Sequence, residues 1–271
     1  MRRSRTIAVL PTMFTLGNVV CGFFAIVVAA RVGVPHSADL SAADTANCMF
    51  AGWLIFLAMV FDALDGHVAR LARTSSDFGA QLDSLCDMVT FGVAPGFLLV
   101  KLCPAFTSEY REAVWVIAAS FPVCAGLRLA RFNVETSEDD DHMFFSGLPS
   151  PAAAATIASF AIMFYTLRKD DNPLPYAAEI DGQLQMVLPF FALLVALLMV
   201  SRIPYPHLVN QMVRGQRSFG HVVGMVFALI MVMLVRGYSL PILSSTFVLS
   251  GPIQYLWRYF VEKRAREEPL F

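Results

Sequence analysis

The chain has 271 residues, 57% of them hydrophobic and only 15% charged, where soluble domains carry about 25%. With a positive mean hydropathy, this excludes a soluble globular enzyme and fits a polytopic membrane protein. The formal net charge of −1 gives no basic excess that would imply a nucleic-acid partner, and the distribution of charge matters more than its sum.

Apolar stretches near the length of about 20 residues needed to cross a bilayer occur at 11–32, 47–68, 83–102, 113–132, 149–167, 184–201, 219–235 and 239–257. The expected fold is therefore all-α: a polytopic transmembrane helix bundle of about eight spans. The basic start MRRSR precedes a long apolar segment without a small-residue cleavage site, so the segment reads as a retained first span. Within it, Asn18 lies in an apolar run where an unpaired amide is costly, and both a hydrogen bond between helices and a direct ligand contact fit it. Gly17 and Gly22 on the same helix permit close packing against a neighbour.

Residues 32–46 read as a short external loop. The second span runs into Asp62 and Asp65, the third begins with Asp83 and Asp87, and the polar stretch between them reads as a helix that passes the membrane surface and turns. Arg128 and Arg131 share a helix face at the end of the fourth span. EDDD at 138–141 is a solvated loop, FFSGLPSPAAAA supplies turn residues and then small residues for packing, and 168–183 reads as a polar outer loop. Two prolines after Val200 stop the sixth span. The five cysteines are odd in number and scattered, without a CxxC pair, so neither a disulfide framework nor a zinc site is expected.

With the N-terminus inside and eight spans, fourteen Lys and Arg residues fall on the inner side. Six fall outside: Arg31, Lys101, Arg111, Arg168, Lys169 and Arg236. Such a bias places both termini and the Asp62–Asp87 stretch at the cytoplasmic face.

That stretch is where chemistry concentrates. Asp62 and Asp65 are three apart and Asp83 and Asp87 four apart, so each pair occupies one face of a helix. Two facing helices would gather four carboxylates, which repel one another unless cations neutralise them. Ionisable groups at membrane depth are expensive and usually functional, so a divalent metal site is the first expectation. Two divalent ions held by hard oxygen ligands, Mg²⁺ or Mn²⁺, suit transfer at phosphorus. Gly66 and Gly79 would let a diphosphate approach the backbone, and the forked guanidinium of Arg70 fits a phosphate contact. His67 has no second ligand beside it and reads as structural.

The spacing of Asp62, Asp65-Gly66, Ala69-Arg70, Gly79, Asp83 and Asp87 resembles, at all eight positions, the signature of the CDP-alcohol phosphatidyltransferases. PTMFTLGNVVCGFFAI, DSLCDMVTFGVAPG, RLARFN and GLPSPAAAA resemble the phosphatidylserine synthase branch of that family, with Thr12 where relatives often have Asn. The resemblance covers most of residues 8–210. It implies a core over 1–210, with two additional helices and a basic cytoplasmic tail over 211–271. A six-helix catalytic unit, usually a homodimer in the cell membrane, is also implied.

At the matching positions the resemblance implies that Asp62, Asp65, Asp83 and Asp87 hold two metal ions and that Asp87 is the general base. It implies that Gly66, Ala69, Arg70 and Gly79 line the CDP-lipid pocket, to which Asn18 is a further candidate. The implied substrates are CDP-diacylglycerol and L-serine, beside membrane lipids. Arg128 or Arg131 would pair with the serine carboxylate, since a zwitterionic acceptor needs a cation. Other acceptors remain open: glycerol 3-phosphate, inositol or its phosphate. Outside the enzyme class, an acidic intramembrane cluster also suits a cation transporter.

Overall fold

The computed structural model describes residues 2–33, 40–72, 77–135, 145–169, 175–205 and 236–267. Helix α1 (Arg2–Ala30) leads to α2 (Ala42–Ala72), whose start is fixed by a reciprocal cap. The Ser41 hydroxyl donates to Asp44 Oδ2 at 2.7 Å, and the Asp44 N–H donates back to Ser41 Oγ at 3.1 Å. The third span is one continuous rod in three parts: α3 (Asp77–Asp87), a π-helical segment (Met88–Val93) and α4 (Ala94–Leu102). The widening has a local cause. Pro95 has no N–H to donate, and the Ala94 N–H reaches the Val89 carbonyl, five residues back.

A short α5 (Pro104–Glu109) turns the chain into α6 (Arg111–Glu135), followed by α7 (Ser150–Leu167) and α8 (Ala177–Val200). Two residues on either side of these last helices, β1 (Phe145–Ser146) and β2 (Pro204–Tyr205), pair antiparallel. This bridge is the only β structure among the described residues, in a bundle that is otherwise helical. Gly147, between β1 and α7, has a φ of +90°, a conformation open to glycine, and a side chain there would press on the carbonyls that end α8. The final helix α9 (Ser239–Glu267) packs on α7, where Ser159 and Ser244 hydroxyls lie 3.1 Å apart.

Among the described residues, six helices are long and apolar enough to span a membrane: Thr12–Ala30, Ala42–Gly66, Phe78–Leu102, Arg111–Val134, Ser150–Leu167 and Ala177–Val200. They match the first six expected spans within a few residues at most ends, so the chain is a multi-pass membrane protein. The expected seventh span, 219–235, lies outside the described residues. The expected eighth is helical as α9 but is not among the six. The expected outer loop at 168–183 is corrected: α8 already starts at Ala177. Asp181, within the expected loop, stands one helical turn before Gln185 on a buried face and accepts a hydrogen bond from it at 2.7 Å.

α1 lies along α2, α2 along α7, and α6 along α8, so the third span is surrounded. Small residues set the closest approach. At Gly22 a side chain would collide with Thr90 of the π segment, which brings α1 tight against the third span one turn from Asn18.

Candidate functional site

Antiparallel packing of the second and third spans brings Asp62 and Asp65, near the end of one, beside Asp83 and Asp87, about one and a half and two and a half turns into the other. Single carboxylate oxygens of Asp62, Asp83 and Asp87 lie within 4.8 Å of one another. Asp65 stands apart from this trio. It turns towards α1 and accepts a hydrogen bond from Thr15 Oγ1 at 3.0 Å. Asp65 and Asp87 are buried, at 6% and 8% exposure.

Helix α1 supplies the partners. Asn18, fully buried, donates from Nδ2 to Asp87 Oδ1 at 2.9 Å, while its own backbone carbonyl accepts from Thr90 Oγ1 at 3.3 Å. Asn18 thus makes a hydrogen bond between helices, and its partner is a carboxylate of the cluster. Two buried oxygens, Asp83 Oδ1 and Asn18 Oδ1, have no hydrogen-bond partner among the described residues. Buried acceptors are rarely left so unless an ion or water completes them. Three convergent carboxylates and orphaned oxygens form an all-oxygen donor set, which fits a hard divalent cation.

The other expected residues are placed as follows. Gly66 ends the second span with open space beside it: among the described residues, and apart from its chain neighbours and its own helix backbone, no heavy atom lies within 4 Å of where a Cβ would sit. Gly79 is in the first turn of α3, and Ala69 and Arg70 continue α2 beyond the span. The side chains of Ala69 and Arg70 lie outside the described residues. Arg128 Nη1 donates to Ser150 Oγ at 3.2 Å at the start of α7, and Arg128 is within electrostatic reach of Asp87. Arg131 faces elsewhere, with Nη1 donating to the Val200 carbonyl at the end of α8, 3.1 Å away. The two arginines thus part company despite sharing a helix face.

Thr15, Thr90 and the Ser84–Asn133 pair, joined at 3.0 Å between the third and fourth spans, were missed by the sequence reading. Thr15 carried a signal, since it stands three residues before Asn18 and so on the same face of α1. Thr90 carried none, because its role depends on the π segment.

The fold and this site define a class: a multi-pass helical membrane protein with a buried acidic, cation-suited centre near one end of its spans. The chain belongs to the CDP-alcohol phosphatidyltransferase family, whose model matches residues 8–201. It is 30% identical over 197 residues to a CDP-diacylglycerol–serine O-phosphatidyltransferase of Helicobacter pylori (strain ATCC 700392 / 26695), covering 73% of this chain and 71% of that protein. A Bacillus subtilis protein of the same name is 31% identical over 198 residues, 73% of this chain and 90% of its own. One from Methanocaldococcus jannaschii is 35% identical over 158 residues, 58% and 64% respectively.

Proposed function

We propose that the protein transfers a phosphatidyl group from CDP-diacylglycerol to the hydroxyl of L-serine, giving phosphatidylserine and CMP. The observation that carries this is the convergence of Asp62, Asp83 and Asp87 beside the open flank of Gly66, in a chain whose relatives bear that activity in their names.

Asp62, Asp65, Asp83 and Asp87 would hold two divalent ions, Mg²⁺ or Mn²⁺, which when bound neutralise phosphate oxygens and the departing CMP. The chain's own residues do the rest. Asn18 fixes one oxygen of Asp87 and leaves the other to take the proton from the serine hydroxyl. The serine oxygen attacks the phosphorus that bears diacylglycerol, the new O–P bond forms, and the bond to the CMP phosphate breaks. Gly66 and Gly79 admit the diphosphate to the backbone, with Ala69 and Arg70 beside it on α2. Acyl chains leave sideways between helices into the bilayer.

Arg128 is the better of the two arginines for the serine carboxylate. It sits near Asp87 on a hydroxyl partner, whereas Arg131 is engaged by the end of α8. Arg128→Lys is expected to raise the serine KM about tenfold by loss of the fork, with Arg131→Lys near wild type. Equal effects would undo the distinction. The excess of basic residues that the sequence assigns to the inner side of the spans supports a cytoplasmic active site and termini in the cell membrane. The core over 1–210 would act as a homodimer, with 211–271 appended.

The deciding experiment is CMP release by purified protein with Mn²⁺, offering L-serine, glycerol 3-phosphate, inositol and inositol phosphate in parallel. Turnover with serine alone is expected. Turnover with another alcohol would keep the transferase and replace the acceptor, and metal-dependent ion flux without CMP release would favour a transporter.

A further inference from the structure

The bundle has a second polar site at the end away from the carboxylates. The N-terminus of α2 and the C-terminus of α7 meet there, and the 23 residues from Ala42 to Asp65 separate the two ends by about 35 Å at 1.5 Å per residue.

Arg168, which caps α7, is held from several sides. Its Nε donates to Asp181 Oδ1 at 3.0 Å, and its guanidinium carbon lies 4.8 Å from the centre of the Phe164 ring. Asp181 Oδ2 accepts from Gln185 Nε2 at 2.7 Å, and Gln185 Oε1 accepts from the Ala105 N–H at 2.9 Å. The carboxylate is thus fully occupied, and it engages only the Nε of the guanidinium. Nη1 and Nη2 are buried and have no hydrogen-bond partner among the described residues. Charged donors left so lose several water contacts without replacement, which is costly unless an acceptor is supplied. Their parallel N–H groups form the fork that matches two oxygens of a phosphate.

Arg168 lines a cavity of about 560 Å³ together with Leu40, Thr45, Ala46, Tyr165 and Lys169. Lys169 brings a second cation, its ammonium 5.0 Å from the Tyr165 ring centre. The first turn of α2 adds the partial positive charge of a helix N-terminus and also carries the Asp44 carboxylate, bonded to the neutral Ser41 hydroxyl. Leu40, Ala46 and the Tyr165 ring give the cavity an apolar side.

We propose that this cavity binds a phosphate-bearing anion through the Arg168 fork and Lys169, the source being either an anionic phospholipid headgroup or free phosphate. The site is remote from the carboxylate cluster and does not depend on the transferase reading.

The test uses the full protein purified in detergent with EDTA present, so that phosphate is not retained by metal at the carboxylates. One arm titrates inorganic phosphate against chloride at equal ionic strength and reads thermal unfolding. The other counts phosphatidylglycerol molecules retained in native mass spectrometry. Binding in either arm is expected, weakened about tenfold or more in Arg168→Lys, which keeps the charge but loses the fork. A severalfold weakening is expected in Lys169→Gln. That residue is exposed, so this variant carries the test if the arginine variant fails to fold. Response to phosphate identifies the free anion; lipid retention without it identifies a headgroup. Absence of binding in both arms, or binding that neither variant changes, overturns the proposal. Turnover is not read, so failure here leaves the transferase reading standing.

Discussion

The two ends of the bundle treat buried charge in opposite ways. At one end Asp181 is closed off, with one oxygen on Arg168 and the other on Gln185. At the other, Asp62, Asp83 and Asp87 face each other, and the hydrogen bonds given to Asp65 and Asp87 come from the neutral Thr15 and Asn18. A paired charge can serve structure, because the partner offsets its desolvation. Like charges gathered at membrane depth with neutral supports do not stabilise a fold and point to a ligand that arrives with positive charge. The comparison also explains why α1 matters: its described side chains bring neither acid nor base to the cluster, yet Thr15 and Asn18 aim two of the carboxylates.

The comparison breaks most sharply at Asp87. Asp87→Asn keeps the Asn18 contact sterically but removes the base, and turnover is expected to fall by about 10²–10⁴ with helix content unchanged by circular dichroism. Retention of a tenth of wild-type activity would move the base elsewhere. Next, chelation should abolish CMP release, and Mn²⁺ or Mg²⁺ should restore it. An independent reading is Mn²⁺ binding by paramagnetic resonance, which Asp83→Asn should weaken by about 10–100-fold. Asp181→Asn, an acid of the closed end, should leave that binding unchanged. If both variants bind Mn²⁺ equally, the contrast between the ends fails.

Asn18→Ala removes the donor that aims Asp87 together with one of the orphaned oxygens of the cluster. The side chain donates to Asp87 rather than lining open space, so kcat should drop about 10–100-fold while the serine KM stays near wild type. A rise in KM with kcat unchanged would instead make Asn18 a substrate contact.

How much of this was legible beforehand follows from the physics of each element. Spacings of three and four in a helix convert directly into shared faces, so the pairing of Asp62 with Asp65 and of Asp83 with Asp87 was readable. Apolar length likewise revealed the six spans. The split within the quartet was hidden, because it depends on where α1 places Thr15. The divergence of Arg128 and Arg131 was hidden for the same reason: a common face says nothing of which neighbouring helix end each side chain finds. The helical 177–183 segment was misread as loop because the charge of Asp181 is satisfied internally by Arg168 and Gln185, partners that sequence polarity does not reveal. The π segment follows from Pro95, whose missing donor is visible, but the widening it causes is not.

The smallest expected effect concerns how α9 is tied to the core near the bridge that follows α8. Tyr205 is fully buried, and its hydroxyl donates to the Val248 carbonyl at 2.8 Å. Burial pushes its phenol up to about 12, from an ordinary value of 10.0. A group whose folded value is raised adds stability that is complete below the unfolded value and is lost as pH climbs towards the folded one. Tyr205 therefore donates fully at neutral pH, and its contribution should fade only between about pH 10 and 12. Tyr205→Phe should lower stability by about 1 kcal/mol at pH 7 with turnover unchanged, and the gap between variant and wild type should close as pH rises through that window. Thermal unfolding at pH 7 and pH 11 checks both. A loss of turnover in Tyr205→Phe would mean that the seat of α9 reaches the carboxylate end, and the contrast between a catalytic and a purely structural polar contact would have to be redrawn there.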